Sequence, residues 1–327
     1  MTIQIYDYAP VQNDVRQQIL ESLARPVKTL PYMVTYDERG SQLFEQMCAA
    51  PEYYLFRAEL AILQQYADDI AAQVGESALL VEYGSGNSAK TRTLLDTLPQ
   101  LAGYVPIDIS REFLIESAQK LQEAYPHIEI LPVCADYNTP FALPIPTQPA
   151  AQTVAYFAGS TIGTMPPDEA VAFLAQVRQL CGGESGLLIS VDLKKEPAPI
   201  LRAYNVPGIT AEFILNVLRH LNRVWQANFV LDQFQFLSIY NSKAGRQEVS
   251  LVSLTDQTVQ IGDAEIDFAA GERLWHSDVY KYTVDEFADL AAKAGWQVKK
   301  VWTDEQQWFS VQYLTSMDHA QSARKLI

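Results

Sequence analysis

Ala78-Leu79-Leu80-Val81-Glu82-Tyr83-Gly84-Ser85-Gly86-Asn87-Ser88-Ala89-Lys90-Thr91 is a short apolar run that feeds into a glycine turn and then into a helix-forming segment. A strand that ends in Gly-x-Gly at the carboxyl edge of a parallel sheet brings backbone N–H groups close to a nucleotide-like ligand. The stretch therefore predicts the first core strand of an α/β sheet with a cofactor at its end. Gly84-x-Gly86-x-x-Ala89 fits a dinucleotide fingerprint, but a phosphate loop needs glycine directly before Lys90 and Ala89 stands there. ATP is the weakest of the three cofactors that compete for the turn, behind NAD and S-adenosylmethionine (SAM).

Residues further along separate the remaining two. An acid two positions before the first glycine, as in Glu82-x-Gly84-x-Gly86, is the form SAM methyltransferases usually show. The next strand, Tyr104 to Asp108, ends in a carboxylate placed to accept from both ribose hydroxyls of an adenosine, which serves NAD and SAM equally. Asp108 also reads as a cap before Ser110, but its place after the second strand favours the ribose role. The third strand, Ile128 to Ala135, ends in Asp136-Tyr137, an acceptor for an adenine amino group beside a ring that covers the base. This pair favours SAM. Near the end, a helix over Tyr282 to Ala294 is closed by Gly295, and two strands, Trp296 to Trp302 and Trp308 to Tyr313, flank a polar turn. That arrangement gives the sheet an antiparallel last strand, unlike an all-parallel dinucleotide fold.

Strand and helix alternate between these landmarks: Lys90 to Leu98, Phe113 to Ala124 and Asp168 to Cys181 read as helices, Thr153 to Ala158 and Leu187 to Leu193 as strands. Nearly eighty residues precede the first core strand, with helices expected over Val11 to Ala24, Gln42 to Cys48 and Leu55 to Ala72. After the parallel core, Thr210 to Val224 reads as a helix, and Phe234 to Tyr282 as several β runs cut at Lys243-Ala244-Gly245, Gly262-Asp263 and Ala270-Gly271. The expected organisation is an N-terminal helical segment contributing to the active site (1–77), a Rossmann-like SAM-binding core (78–205), an α+β substrate-recognition insertion (206–282) and core completion (283–327). The substrate pocket is expected where the N-terminal segment and the insertion roof the sheet's carboxyl edge.

Composition narrows the partners. With 327 residues, 48% hydrophobic and 19% charged, the chain can bury a full core. A net charge of −15 with no Lys/Arg run argues against nucleic acid, which needs a clustered basic patch to neutralise phosphates. No apolar stretch approaches about 18 residues and no cationic leader opens the chain, so neither a membrane span nor a signal peptide is expected. Cys48, Cys134 and Cys181 are too scattered for a metal pair or a disulfide framework, which fits the cytoplasm. His127, His220 and His319 show no metal spacing, so no metal is assigned. A cytoplasmic monomer acting on a small-molecule amine or amino acid is expected.

The motifs identify a family resemblance that runs from about Leu30 to the end. Tyr36-Asp37-x-x-Gly40-Ser41-x-Leu43-Phe44-Glu45, Pro51-Glu52-Tyr53-Tyr54 with Arg57-Ala58-Glu59, Glu82-x-Gly84-Ser85-Gly86-x-Ser88-x-Lys90-Thr91, Gly159-Ser160-Thr161-Ile162-Gly163, Arg202-Ala203-Tyr204 and Trp302-Thr303-Asp304 resemble those of the ergothioneine-pathway histidine Nα-methyltransferases. The resemblance implies a class I SAM-methyltransferase fold and SAM as cofactor. It implies that Gly84, Lys90, Asp108, Asp136 and Tyr137 hold SAM together with Glu82, Ser85 and Gly86 of the turn motif, and that Tyr36 lies near the methyl-donor end. Tyr53, Gly159 and Tyr204 would line the amino-acid pocket.

Departures from the family concern the substrate. Where the histidine enzymes follow Gly-Ser-Thr-Ile-Gly with an Asn that anchors the amino-acid end, Thr164 stands here. Gly271 to Tyr282 aligns without gaps to a segment whose Glu-x-Ser grips the imidazole, and the aligned residues are Ser277 and Val279. A medium-sized apolar residue of the family aligns with the smaller Val249. Losing polar partners that an imidazole requires can cost a factor of about 10⁴ in discrimination. The expectation is an aromatic amino acid such as tryptophan in preference to histidine, with histidine as the alternative. A shift of a residue or two would bring His276 or Asp278 into the site.

The chemistry asks for placement. A neutral amine must be held in line with the methyl group while water is excluded. Tyr36, Tyr53 and Tyr204 are the catalytic candidates, as positioning hydroxyls first and proton acceptors second, and the faces of Tyr53, Tyr54 or Phe44 suit a cationic methylated product. Two other classes compete: a SAM-binding partner protein without turnover, and a nicotinamide-dependent oxidoreductase, which the terminal hairpin opposes.

Overall fold

The structure, a computed structural model, describes residues 3–8, 12–86, 89–98 and 100–317. Val11, Ser88 and His319 lie outside the described residues. The chain divides into two compact units: the first draws on residues 3–8, 55–194 and 281–317, the second on 12–54 and 195–280.

An eight-stranded sheet organises the first unit, in the order Tyr6–Tyr8, Val133–Ala135, Gly103–Asp108, Ala78–Tyr83, Gln152–Phe157, Ser185–Asp192, Phe309–Ser316, Trp296–Thr303. Six strands and the outermost Trp296–Thr303 run in one direction, and Phe309–Ser316 alone runs antiparallel between Ser185–Asp192 and Trp296–Thr303, which is the class I SAM-methyltransferase arrangement expected from the terminal hairpin. Ala78–Tyr83 and Ser185–Asp192 are buried along their whole length, as strands with helices on both faces must be. The helix before the hairpin, Val284–Lys293, starts with a capping box in which Thr283 Oγ1 accepts from Glu286 N and Glu286 Oε2 accepts from Thr283 N. Among the described residues no helix is long and apolar enough to cross a membrane.

Several elements differ from their sequence-based ranges for local reasons. The third core strand narrows from Ile128–Ala135 to Val133–Ala135, because Pro132 lacks the N–H that the ladder needs. A single bridge, Tyr104 to Ile130, remains upstream. The helix expected over Leu55 to Ala72 is two helices, Tyr54–Gln65 and Ala67–Val74, separated at Tyr66 by its non-helical backbone. Tyr6–Tyr8, which was not anticipated, pairs in parallel with Val133–Ala135 at the sheet edge.

The second unit holds a four-stranded sheet in the order Lys28–Thr29, Arg273–Tyr280, Arg246–Ser253, Phe234–Asn241, and a separate hairpin of Gln257–Ile261 with Ala264–Phe268. The turns expected at Lys243-Ala244-Gly245, Gly262-Asp263 and Ala270-Gly271 fall between these strands. Helix Thr210–Val224 buries Phe213, Ile214, Val217, Leu218 and Leu221, a helical-period stripe that joins Val249, Leu251 and Leu274 in one core. Each such side chain contributes about 1.5–3 kcal/mol on burial.

The units do not follow the boundaries at 77, 205 and 282; the chain passes between them after residues 9, 54, 194 and 280. Helix Ala67–Val74 belongs with the parallel sheet because Gln152 Nε2 donates to Val74 O at 2.6 Å. Helix Pro197–Ala203 belongs with the smaller sheet, where Ser238 Oγ donates to Tyr204 O at 3.1 Å.

Candidate active site

At the carboxyl edge of the first unit's sheet the turn after Tyr83 takes left-handed backbone at Gly84 (φ 71°) and Gly86 (φ 48°). The conformation explains why glycine stands at both positions, and among the described residues beyond its two chain neighbours no heavy atom lies within 4 Å of a Cβ built at Gly84, so that face of the turn is open to them. Gly84 N and Ser85 N donate to Ile107 O, tying the turn to the neighbouring strand. Asp108, at the end of that strand, accepts from Gly86 N at 3.3 Å and from Ser110 N at 2.9 Å. Asp108 thus ties the glycine turn to the start of the next helix. Burial raises its pKa, and these backbone donors oppose the rise. A carboxylate so placed beside an open glycine turn fits the adenosine half of SAM.

Beyond the third strand, Asp136 Oδ1 accepts from Asn138 N at 3.0 Å and from Asn138 Nδ2. This is an Asx turn that presents Tyr137, whose ring packs edge-on against Tyr83, Phe157 and Phe173. Glu82 points into the interior. It is buried, accepts from Thr91 Oγ1 at 2.6 Å and also from the Tyr104 hydroxyl, and so pins the helix after the turn to two core strands. Burial pushes its pKa up to about 7, against the lowering effect of the two hydroxyls and Lys90.

Glu59 carries a role that the sequence reading did not assign. Its buried carboxylate receives Lys90 Nζ at 2.7 Å, Gly159 N at 2.9 Å, the Tyr156 hydroxyl at 3.0 Å and the Ser190 hydroxyl. One group therefore gathers the glycine-turn helix, the Gly159 turn and two core strands. Gly159 (φ 72°) and Ser160 (φ 56°) are left-handed, and Ser160 Oγ accepts from Asp192 N at 2.8 Å. Thr164 donates its hydroxyl back to Thr161 O at 2.8 Å.

The other substrate candidates lie in the second unit. Tyr36, Phe44 and Phe213 form a mutually touching triple with centroids 5.6–6.0 Å apart. Tyr53 stands edge-on to Phe44 at 6.2 Å and to Tyr204 at 6.3 Å. Tyr32 donates its hydroxyl to Tyr36 at 2.8 Å. Tyr54 differs from these: Lys195 Nζ bonds its hydroxyl at 2.7 Å and lies over its ring at 4.8 Å, so that face already holds a cation. The Tyr36-Asp37-x-x-Gly40 motif has a local cause, because Asp37 caps helix Glu38–Ala49 by accepting from Gly40 N, and a Cβ at Gly40 would meet Thr35 O at 2.0 Å.

Val249, Ser277 and Val279, expected to form a pocket wall, share one face of the sheet. Ser277 pairs with Val249 and Val279 with Gln247, and Val249 belongs to the core against which Tyr36, Phe44 and Tyr204 pack. Asp278 lies on the opposite face, paired with Arg246 at 3.0 Å. His276 sits at a register shift between Trp275 and Ser277, and its ring stands edge-on to Phe213. The sequence signal for it was its place beside Ser277; the bulge that re-aims it was not legible.

A family model described as a SAM-dependent, histidine-specific methyltransferase matches residues 15–316. The chain is 36% identical over 297 residues to the histidine N-alpha-methyltransferase of Mycobacterium tuberculosis (strain CDC 1551 / Oshkosh), with 89% of this chain and 91% of that protein covered. It is 34% identical over 313 residues to the histidine N-alpha-methyltransferase of Mycolicibacterium smegmatis, covering 93% and 96%. A 4-dimethylallyltryptophan N-methyltransferase of Aspergillus fumigatus is 27% identical over 315 residues, covering 90% and 91%. A match of this identity across nearly the whole length of both proteins places the chain in the SAM-dependent, histidine-specific methyltransferase family, as an enzyme that uses SAM.

Proposed function

We propose that the protein methylates the α-amine of histidine. The observation that carries this reading is that two relatives named as histidine N-alpha-methyltransferases align over about nine-tenths of both chains or more. It replaces the sequence-based preference for tryptophan, whose argument was a ring wall stripped of polar groups. His276 and Ser277 supply polar groups beside the aromatic triple, so an imidazole has partners there.

SAM supplies an electrophilic methyl group on a sulfonium. In this account Gly84, Ser85, Gly86, Lys90, Asp108, Asp136 and Tyr137 bind it, Glu82 and Glu59 hold that set in shape, and Gly159 and Thr164 belong to a substrate-facing turn. Tyr36, Tyr53 and Tyr204 orient the amine, which attacks only when neutral, and accept its proton directly or through water. Phe44 and Tyr53 offer ring faces to the cationic product. The acting form is a cytoplasmic monomer.

A second reading, a tryptophan-like substrate, rests on the smaller Val249, on Val279, and on the tryptophan-derivative relative. Competition between histidine and tryptophan for limiting enzyme decides between them. A kcat/KM for histidine at least tenfold above tryptophan, about 1.4 kcal/mol in transition-state binding, is expected; the reverse order selects the second reading.

A further inference from the structure

Thr35, His276 and Ser277 form a hydroxyl–imidazole–hydroxyl chain in the second unit. Thr35 Oγ1 lies 3.1 Å from His276 Nε2, and Ser277 Oγ lies 3.0 Å from His276 Nδ1. Thr35 is buried, His276 and Ser277 are partly buried, and the His276 ring touches Phe213, itself in contact with Tyr36 and Phe44. The atoms packed around the imidazole lower its pKa from 6.5 to about 4, so it is neutral at physiological pH and carries one N–H and one lone pair.

That neutrality gives the chain two directions. With the proton on Nδ1, His276 donates to Ser277 Oγ and accepts from Thr35, and the Ser277 hydroxyl hydrogen is left to donate outward. With the proton on Nε2, His276 donates to Thr35 and accepts from Ser277, and the Ser277 lone pairs are left to accept. Both hydroxyls rotate, so either direction keeps both His276 nitrogens paired. Ser277 pairs with Val249, a member of the core against which the aromatic residues pack, and across Val249 the polar Ser238 is already engaged by Gln247 Nε2 at 2.7 Å.

The geometry points to His276 as a specificity residue that sets the polarity of Ser277, selecting amino acids whose side-chain ring carries an N–H over those with a plain phenyl ring. The inference rests on the amino-acid reading above and deepens it: imidazole and indole both donate a ring N–H, and imidazole also offers an acceptor, so one chain serves both. A site built to bond a ring N–H rejects an analogue lacking it, because its own polar groups are then left unpaired.

The test measures kcat/KM with SAM for histidine, tryptophan, 1-methyltryptophan (ring N–H replaced by N–CH₃) and phenylalanine, in the wild type, His276→Leu and Ser277→Ala. In the wild type, the better of histidine and tryptophan should exceed phenylalanine at least tenfold, and tryptophan should exceed 1-methyltryptophan. Both ratios should fall at least fivefold in His276→Leu, and in Ser277→Ala, which keeps the chain readable if the leucine variant does not fold. A merely structural role would lower all four substrates together and leave the ratios in place. Unchanged ratios in the variants, or a wild type indifferent to the ring N–H, overturn the inference while leaving amino-acid methylation standing. No methylation of any of the four by a wild type that binds SAM overturns the amino-acid reading, and the inference with it.

Discussion

Lys90 Nζ lies 2.7 Å from Glu59 Oε2, which joins the helix after the glycine turn to a helix that precedes the first core strand. Lys90 also lies 5.5 Å from the Phe56 ring centroid. The carboxylate is fully buried, and its remaining lone pairs take the Gly159 N–H and two hydroxyls. Removing it leaves the Lys90 ammonium and three further donors without their acceptor. Breaking a buried pair by deleting one partner typically costs about 3–5 kcal/mol, and Glu59→Ala should lose stability of that order in urea unfolding. A loss below about 1 kcal/mol would show that water replaces the carboxylate at little cost.

Asp108 fixes the open glycine turn through Gly86 N and the following helix through Ser110 N. In the proposed site it also accepts from the cofactor ribose. Asp108→Ala should weaken SAM binding by about 1–3 kcal/mol. Titration calorimetry reads this directly, and an unchanged affinity removes Asp108 from the cofactor set.

Glu82 provides a pH signature of the core. Its pKa rises from 4.5 to about 7 on folding, chiefly because burial disfavours the charge. A raised pKa contributes stability that is fully present below 4.5 and is lost as pH climbs through about 7. That shift corresponds to about 3 kcal/mol across the window. Glu82→Gln keeps groups able to meet Thr91 and Tyr104 without the titration. Its stability relative to wild type should therefore improve between pH 5 and pH 8, as followed by thermal melts; a pH-independent difference contradicts the assignment.

Asp37 shifts the other way. Burial, the largest single influence, raises its pKa, but hydrogen bonds from Gly40 N, Arg223 and Asn216 together outweigh it and hold the carboxyl below 3.8. Its contribution is present above 3.8 and is lost as pH falls through the lowered value. Loss of a helix cap costs about 0.5–2 kcal/mol, so Asp37→Ala should be destabilised by about that much at pH 7, and the gap to wild type should be smaller at pH 3. Chemical denaturation at the two values checks it.

The sequence made legible what local rules govern. A strand entering Gly84-x-Gly86 announces a glycine turn at the sheet edge, and β runs cut at glycine-bearing turns announce hairpins; the structure holds both. Tyr6–Tyr8 escaped because three residues show no periodicity, and its strand exists only through pairing with Val133–Ala135. Glu59 sat inside a recognised motif without a role, since its partners Lys90, Tyr156, Gly159 and Ser190 lie far along the chain. His276 needed the register shift at Trp275/Ser277, which no residue type signals. The relatives then altered the substrate preference, which the aligned positions Ser277, Val279 and Val249 had drawn toward tryptophan, with His276 held only as the outcome of a shifted alignment.

The central claim is methyl transfer to an amino-acid amine, and mass spectrometry of histidine incubated with SAM and purified protein tests it most directly. The account expects histidine to gain one, two or three methyl groups at its α-nitrogen, with S-adenosylhomocysteine released in matching amount. Histidine recovered unchanged by a protein that binds SAM in calorimetry would contradict it.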